Sequence, residues 1–175
     1  DFFMHLETAL AQYPDIPPQY LELEVLESSA MEDLSLVSRV ISECHHRLGI
    51  KFALDDFGTG YSSLTHIRNL DVSIVKVDQS FVRDMIADPD DYAIVEAVLA
   101  LSKAFRREVI AEGVETKEHG LILLNMGCTF AQGYGIARPM PPGSLPAWLQ
   151  HYEIPEEWKV SASVPISPRD AQVQL

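Results

Sequence analysis

Short apolar segments alternate with amphipathic segments along most of the chain. A period-two pattern predicts a first strand over residues 20–26, and apolar residues at steps of three and four predict a helix over 32–48 that ends before Gly49. Similar patterns predict strands over 50–54, 72–77, 109–111 and 129–131, and helices over 2–10, 61–69, 88–105, 116–126 and around Trp148. This alternation is typical of an α/β fold in which crossover helices join parallel strands.

Polar residues sit at the carboxyl ends of the predicted strands. In strand order they are Glu24 with Glu27, Asp55 with Asp56, Lys76 with Asp78, Glu112 with Glu115, and Gln132. The carboxyl ends of parallel strands form the active site in α/β barrels and open sheets. Capping of the following helix explains any single acidic strand end equally well, but four in succession favour a functional site.

The residue types at these strand ends suit a divalent metal. Hard cations such as Mg²⁺ take oxygen ligands, mainly carboxylates and water. In the adjacent pair Asp55 and Asp56, one carboxylate can bridge two ions while the other binds one, and two ions can clamp the attacking and leaving oxygens of a phosphoryl transfer. Lys76 would then orient a water molecule or neutralise phosphate charge. The six histidines lack the spacing of a zinc site, so packing or solvation is the favoured interpretation.

The charge balance argues against a nucleic-acid-binding surface. The 175 residues include 26 Asp and Glu against 13 Lys and Arg, a formal net charge of −13, so no DNA or RNA partner is expected. An acidic protein that binds phosphate groups needs a local source of positive charge, and bound metal ions are the obvious one. Cys44 and Cys128 form no CxxC pair and are predicted to be free thiols.

Four motifs occur along the chain in one order and carry a family resemblance. They are DDFGTGYSSL at 55–64, VKVD at 75–78, IAEGVE at 110–115, and QGY at 132–134 followed by Arg138 and Pro139. In this combination the chain resembles the EAL domain family of cyclic-di-GMP phosphodiesterases, over nearly all residues up to Trp148. The resemblance implies an α/β fold, a modified TIM barrel: a partial EAL domain over residues 1–153 that lacks its N-terminal strand or strands, followed by a linker or tail over 154–175.

The resemblance also implies a reaction and a metal site. The family hydrolyses one phosphodiester bond of cyclic-di-GMP with Mg²⁺ or Mn²⁺ and releases linear pGpG. Position by position, Glu24 resembles a ligand of the first metal, and Asp55 resembles the carboxylate shared by both metals. Asp56 and Glu112 resemble ligands of the second metal.

Catalytic and supporting roles are implied in the same way. Lys76 resembles the residue that holds the attacking water, and Glu112 and Gln132 complete the catalytic set. Glu27 resembles the acid that steadies the loop after the paired aspartates. That loop, which is linked in the family to dimerisation and thus implies a homodimer, includes Gly58, Thr59 and Gly60.

The chain departs from the family pattern near its start. Leu26 stands where the family usually carries Thr, and the signature Glu-Ala-Leu strand and a metal-binding Asn are expected upstream of Asp1. We therefore expect this chain to be a piece of a longer signalling protein, in which the domain is tethered to GGDEF and sensory domains. The domain is expected in the cytoplasm, and the sequence leaves open whether the whole protein is anchored to a membrane. The alternative is an EAL module that has lost catalysis and acts as a cyclic-di-GMP receptor or protein-interaction domain.

Overall fold

Five parallel strands form one sheet in the described part of the chain. A computed structural model describes residues 2–59 and 63–161 of the chain. The strands lie in the sheet in their sequence order, and each pairs in parallel with the next. Their bounds are Glu22–Leu26 for β1, Lys51–Phe57 for β2, Ile74–Val77 for β3, Glu108–Ala111 for β4 and Phe130–Ala131 for β5. The predicted α/β fold with parallel strands is therefore confirmed.

Nine α-helices connect and flank these strands within the described residues. They are α1 Phe2–Ala11, α2 Glu27–Glu32, α3 Leu34–Leu48, α4 Ser63–Asn69, α5 Gln79–Asp84, α6 Pro89–Ala104, α7 Lys117–Asn125, α8 Leu145–His151 and α9 Glu156–Ser161. In this part of the chain, none of the helices has the length and apolar character needed to cross a membrane.

Capping residues set the ends of the two longest helices. The Asp33 side chain accepts a hydrogen bond from a backbone N–H in the first turn of α3, and Gly49 ends that helix with φ +71°. At the start of α6, Asp88 accepts a similar bond and Pro89 occupies the first helical position. Such caps satisfy backbone groups that helix ends leave without partners. They therefore fix where the connections to the neighbouring strands begin.

The core lies between the sheet and the helices packed on it. Strand β3 is buried along its whole length, as expected for a central strand of a parallel sheet. Both cysteines are buried free thiols, as predicted. The largest fully buried apolar side chains include Ile41, Leu54, Phe57, Ile67, Val75, Val77 and Leu123.

The sequence pattern does not predict the short helices α2 and α5. Each has six residues and follows a strand closely, α2 after β1 and α5 after β3. Six residues are too few to show a helical apolar repeat. The predicted helix over 32–48 is accordingly separated from α2 by the cap at Asp33.

Helix α9 is a packed element near the C-terminal end of the described residues. The sequence predicts a linker or tail over 154–175, but residues 156–161 form a helix that packs against α7. The Trp158 ring lies against Gly120, and its Nε1 donates a hydrogen bond to the carbonyl oxygen of Lys117 at 2.8 Å. Residues 162–175 lie outside the described residues, so there the tail stays a prediction.

Candidate active site

A bulge near the end of β2 brings two consecutive carboxylates to one side of the sheet. The pairing of β2 with β3 shifts between Leu54 and Phe57, so Asp55 and Asp56 together lie opposite Lys76. Neighbouring side chains of a regular strand point to opposite faces, and a bulge interrupts that alternation. Asp56 has φ +55°, a left-handed conformation that Asp accepts more readily than most residues. The backbone therefore allows both carboxylates to enter one cluster.

Lys76 lies among three carboxylates. Its Nζ is 2.8 Å from Oε1 of Glu24, 2.9 Å from Oδ1 of Asp55 and 2.9 Å from Oε1 of Glu112. The Lys76 side chain is only 7% exposed, whereas Glu24 is half exposed on the edge strand. These residues come from β1, β2, β3 and the position after β4. The structure thus brings together four of the strand-end residues that the sequence singles out.

Electrostatics keep Lys76 charged and disfavour the charge on Asp56. Burial by itself would lower the pKa of the Lys76 ammonium, but hydrogen bonds to carboxylates, with Glu24 the strongest, outweigh burial and raise that pKa above its ordinary value. For Asp56, burial has the opposite effect and is the main reason that its pKa is raised. The charges of Asp55 and Asp78 raise that pKa further. The cluster therefore holds more negative charge than one ammonium neutralises.

The cluster fits a divalent cation. Asp55, Asp56 and Glu112 each offer one oxygen within 4.8 Å of the other two, and all three residues are partly buried. Oδ1 of Asp55 is buried and, although close to Lys76 Nζ, accepts no hydrogen bond of suitable geometry. A buried oxygen that receives no well-aligned hydrogen bond suits a cation, and an all-carboxylate set suits Mg²⁺ or Mn²⁺ better than a softer metal.

Gln132 reaches the same edge of the sheet through backbone contacts. Its N–H donates to the carbonyl oxygen of Ala111 at 2.8 Å, and its carbonyl accepts from the N–H of Val114 at 3.1 Å. Gly133 permits this close crossing, because a Cβ there would lie 2.3 Å from backbone atoms of Val114. The Gln132 side chain is exposed, and the described partners of Lys76 are the three carboxylates. Gln132 thus lies at the edge of the site, outside the cluster around the lysine.

Glu27 contacts the loop that follows the bulge. Its carboxylate is buried, and its Oε2 accepts a hydrogen bond from the backbone N–H of Gly58 at 3.1 Å. The Thr59 hydroxyl donates to the carbonyl oxygen of Asp56 at 2.9 Å. Gly60, which the sequence analysis places in the same loop, lies outside the described residues. The described part of this loop is thus tied both to α2 and to the bulge.

Two further residues near the site make specific contacts. The buried His66 on α4 places Nδ1 3.3 Å from Oε1 of Glu27. This agrees with its interpretation as a packed histidine but gives it a specific partner. Asp78 accepts a hydrogen bond from the N–H of Ser80 at 2.9 Å as the cap of α5, and its charge acts on Asp56. The His66 contact has no local sequence signal, because its partner is 39 residues away. The cap at Asp78 is the capping role that the sequence offers for a single acidic strand end.

Comparison with known proteins gives one consistent family. The EAL domain family matches residues 1–139. Cyclic di-GMP phosphodiesterase PA2567 of Pseudomonas aeruginosa is 40% identical over 148 residues, which are 85% of this chain and 25% of that protein. The bifunctional diguanylate cyclase/cyclic di-GMP phosphodiesterase MucR of the same organism is 42% identical over 130 residues, or 74% of this chain and 19% of that protein. This chain thus spans a quarter or less of the length of these two relatives.

Solved structures share the architecture. The crystal structure of the EAL domain of Mycobacterium smegmatis DcpA superposes with a TM-score of 0.78 at 35% identity, covering 89% of this chain and 69% of that chain. The PaMucR phosphodiesterase in its c-di-GMP complex gives a TM-score of 0.75 at 38% identity, covering 79% of this chain and 56% of that chain. The five-stranded parallel sheet therefore matches part of the EAL TIM barrel. The chain belongs to the EAL domain family.

Proposed function

We propose that this chain carries the active site of a cyclic-di-GMP phosphodiesterase that produces linear pGpG with Mg²⁺ or Mn²⁺. The observation that carries the proposal is the cluster of Asp55, Asp56 and Glu112 beside Lys76 at the carboxyl ends of the strands. The phosphodiesterase PA2567 at 40% identity and the c-di-GMP complex of PaMucR at 38% identity support the choice of substrate.

The carboxylates are assigned to the metal. Asp55, Asp56, Glu112 and the edge-strand Glu24 would hold divalent ions, which supply a Lewis acid for the phosphodiester and acidify a bound water. Without a cation, these acids would repel the phosphates of the substrate. The Glu27 carboxylate and the backbone turn at Gly58 keep the end of β2 in place.

Lys76 acts as a cation and hydrogen-bond donor in this proposal. Its raised pKa keeps the ammonium protonated at neutral pH, so it does not serve as a general base. Each of its three N–H groups can donate either to a carboxylate or to an attacking water or a phosphate oxygen. Gln132, exposed at the same edge of the sheet, would join Lys76 at that water.

We further propose a multidomain setting. The relative MucR is named as a bifunctional diguanylate cyclase and phosphodiesterase, which supports tethering of this domain to a GGDEF domain, with sensory domains beyond it. The same proposal includes homodimerisation through the loop after β2, a partial EAL domain over residues 1–153 with α9 packed onto it, and a cytoplasmic location.

Chromatography of cyclic-di-GMP incubated with the chain and Mn²⁺ tests the proposed function. We expect pGpG with Mn²⁺ and none with EDTA. Glu112→Gln should lower the rate by about 100-fold or more, as losses of active-site electrostatic groups commonly do. Glu108→Gln is the matched control, because Glu108 is an exposed acid at the other end of β4, and it should leave the rate unchanged.

Two outcomes would contradict the proposal. Product that forms equally in EDTA would exclude the metal-dependent reaction. Cyclic-di-GMP that binds the chain with Mn²⁺ present but is recovered intact would favour the receptor alternative.

A further inference from the structure

The buried pair of His66 and Glu27 lies directly beside the proposed active site. The two side chains are 3% and 1% exposed, and His66 Nδ1 is 3.3 Å from Glu27 Oε1. We take His66 Nδ1 as the donor at this contact, because an ionised carboxylate only accepts hydrogen bonds. A buried carboxylate depends on such donors, because each lost donor leaves a charge in a low-dielectric interior.

Glu27 transmits this contact to the backbone of the loop. Its other oxygen, Oε2, accepts the N–H of Gly58 at 3.1 Å. Gly58 has φ +106° and follows Phe57, the last residue of β2. A short path of contacts thus runs from α4 through one carboxylate to the turn that ends the bulged strand. The bulge itself carries Asp55 and Asp56.

We propose that His66 is a positioning residue for the metal-binding aspartates. His66 fixes the orientation of the Glu27 carboxylate, and Glu27 fixes Gly58 and with it the end of β2. This inference rests on the proposed function of Asp55 and Asp56 as metal ligands. It assigns His66 no contact with metal or substrate.

Substitutions at position 66 separate hydrogen bonding from packing. His66→Leu fills the same space with an apolar side chain but removes the hydrogen-bond donor. His66→Asn places an amide nitrogen as many bonds from Cα as Nδ1, whereas His66→Gln places it one bond further out. Only the asparagine variant should preserve the bond to Glu27.

The test combines backbone exchange with metal affinity. Hydrogen exchange of the Gly58 amide, measured by NMR in EDTA, reports how well the loop backbone is held when no metal is bound and no substrate is turned over. Electron paramagnetic resonance of free Mn²⁺ gives the affinity of the protein for Mn²⁺. We expect His66→Leu to speed Gly58 exchange and to weaken Mn²⁺ binding by up to about tenfold, the lower end of the loss seen when a direct hydrogen-bond partner of a metal ligand is removed, because His66 acts through Glu27. His66→Asn should restore both values toward those of the unsubstituted chain, and His66→Gln should not.

His45→Leu is the matched control. His45 makes a comparable Nδ1 contact of 3.3 Å to the carbonyl oxygen of Ile50, but this contact lies at the amino end of β2. His45→Leu should therefore leave Gly58 exchange and Mn²⁺ affinity unchanged.

A folded His66→Leu variant with unchanged Gly58 exchange and Mn²⁺ affinity would overturn the proposal. If that variant does not fold, the asparagine and glutamine variants decide, and equal values for the two would overturn it. Failure of the unsubstituted chain to bind Mn²⁺ would instead contradict the proposed function. The Gly58 exchange in EDTA still tests His66 in that case.

Discussion

At the residue scale, the site depends on one aspartate in an unusual backbone conformation. Asp56 has φ +55°, which Asp and Asn tolerate but which costs most other L-residues about 1–2 kcal/mol. Its carboxylate is partly buried beside that of Asp55, so the two charges repel each other when no cation is bound. Strain and like charge at one position are typical of functional sites rather than of regular strands. Metal-free protein should therefore gain stability when this charge is removed.

We expect Asp56→Asn to be more stable than the unsubstituted chain at pH 7 in EDTA. Because burial and the charge of Asp55 raise the folded-state pKa of Asp56, ionisation destabilises the fold, and stability is lost as pH rises through that pKa. Below the ordinary pKa of 3.8 the carboxyl is protonated whether folded or unfolded, so the difference between the two proteins should disappear there. Urea unfolding at pH 7 and at a pH below 3.8 measures the difference in stability between the two proteins.

Asp56→Val is the comparison variant for this prediction. It removes the same charge but places a β-branched side chain at φ +55°, so it should be less stable than Asp56→Asn by about 1–2 kcal/mol. Equal stability of Asp56→Asn and the unsubstituted chain at pH 7 would show that neither burial nor repulsion acts on this carboxylate.

At the element scale, the strand ends were predictable and the bulge was not. Parallel strands in sequence order place their carboxyl ends on one edge of the sheet, which is why the sequence alone could group Glu24, Asp55, Lys76 and Glu112. The register shift in β2 has no sequence signal, because the apolar run that predicts the strand continues unchanged up to the aspartates. The contact of Glu27 with α4 depends on tertiary packing across the sheet, which periodicity does not encode.

The docking of α9 on α7 gives a prediction at the same scale. A Cβ at Gly120 would lie 2.4 Å from the Trp158 ring. We therefore expect Gly120→Ala to displace α9 and to destabilise the protein by about 1–3 kcal/mol, the usual cost of overpacking. In a Trp148→Phe background, where Trp158 is the remaining tryptophan, its fluorescence emission should shift to longer wavelength.

Gly143→Ala provides the control for this substitution. A Cβ at Gly143 would meet no atom within 4 Å, so neither stability nor emission should change. An unshifted emission in the Gly120→Ala variant would mean that the Trp158 ring does not pack against Gly120 on α7.

At the scale of the whole molecule, excess negative charge and the proposed substrate require a cation between them. The chain carries a formal net charge of −13, and cyclic-di-GMP is itself anionic. Lys76 supplies one positive charge to the cluster, and its three carboxylate partners outweigh that charge. Divalent ions would reverse the local sign of the potential and also stabilise the folded state by binding to it.

Equilibrium binding of Mn²⁺ to the chain, stripped of metal and compared with Asp55→Asn, tests the central claim most directly. Asp55→Asn keeps the shape of the side chain but removes the charge of the carboxylate whose buried oxygen receives no well-aligned hydrogen bond from the nearby Lys76. We predict that the unsubstituted chain binds Mn²⁺ and unfolds at a higher temperature with it, and that Asp55→Asn loses both effects. Equal Mn²⁺ binding by the two proteins, or none by either, would contradict the assignment of this cluster as a metal site.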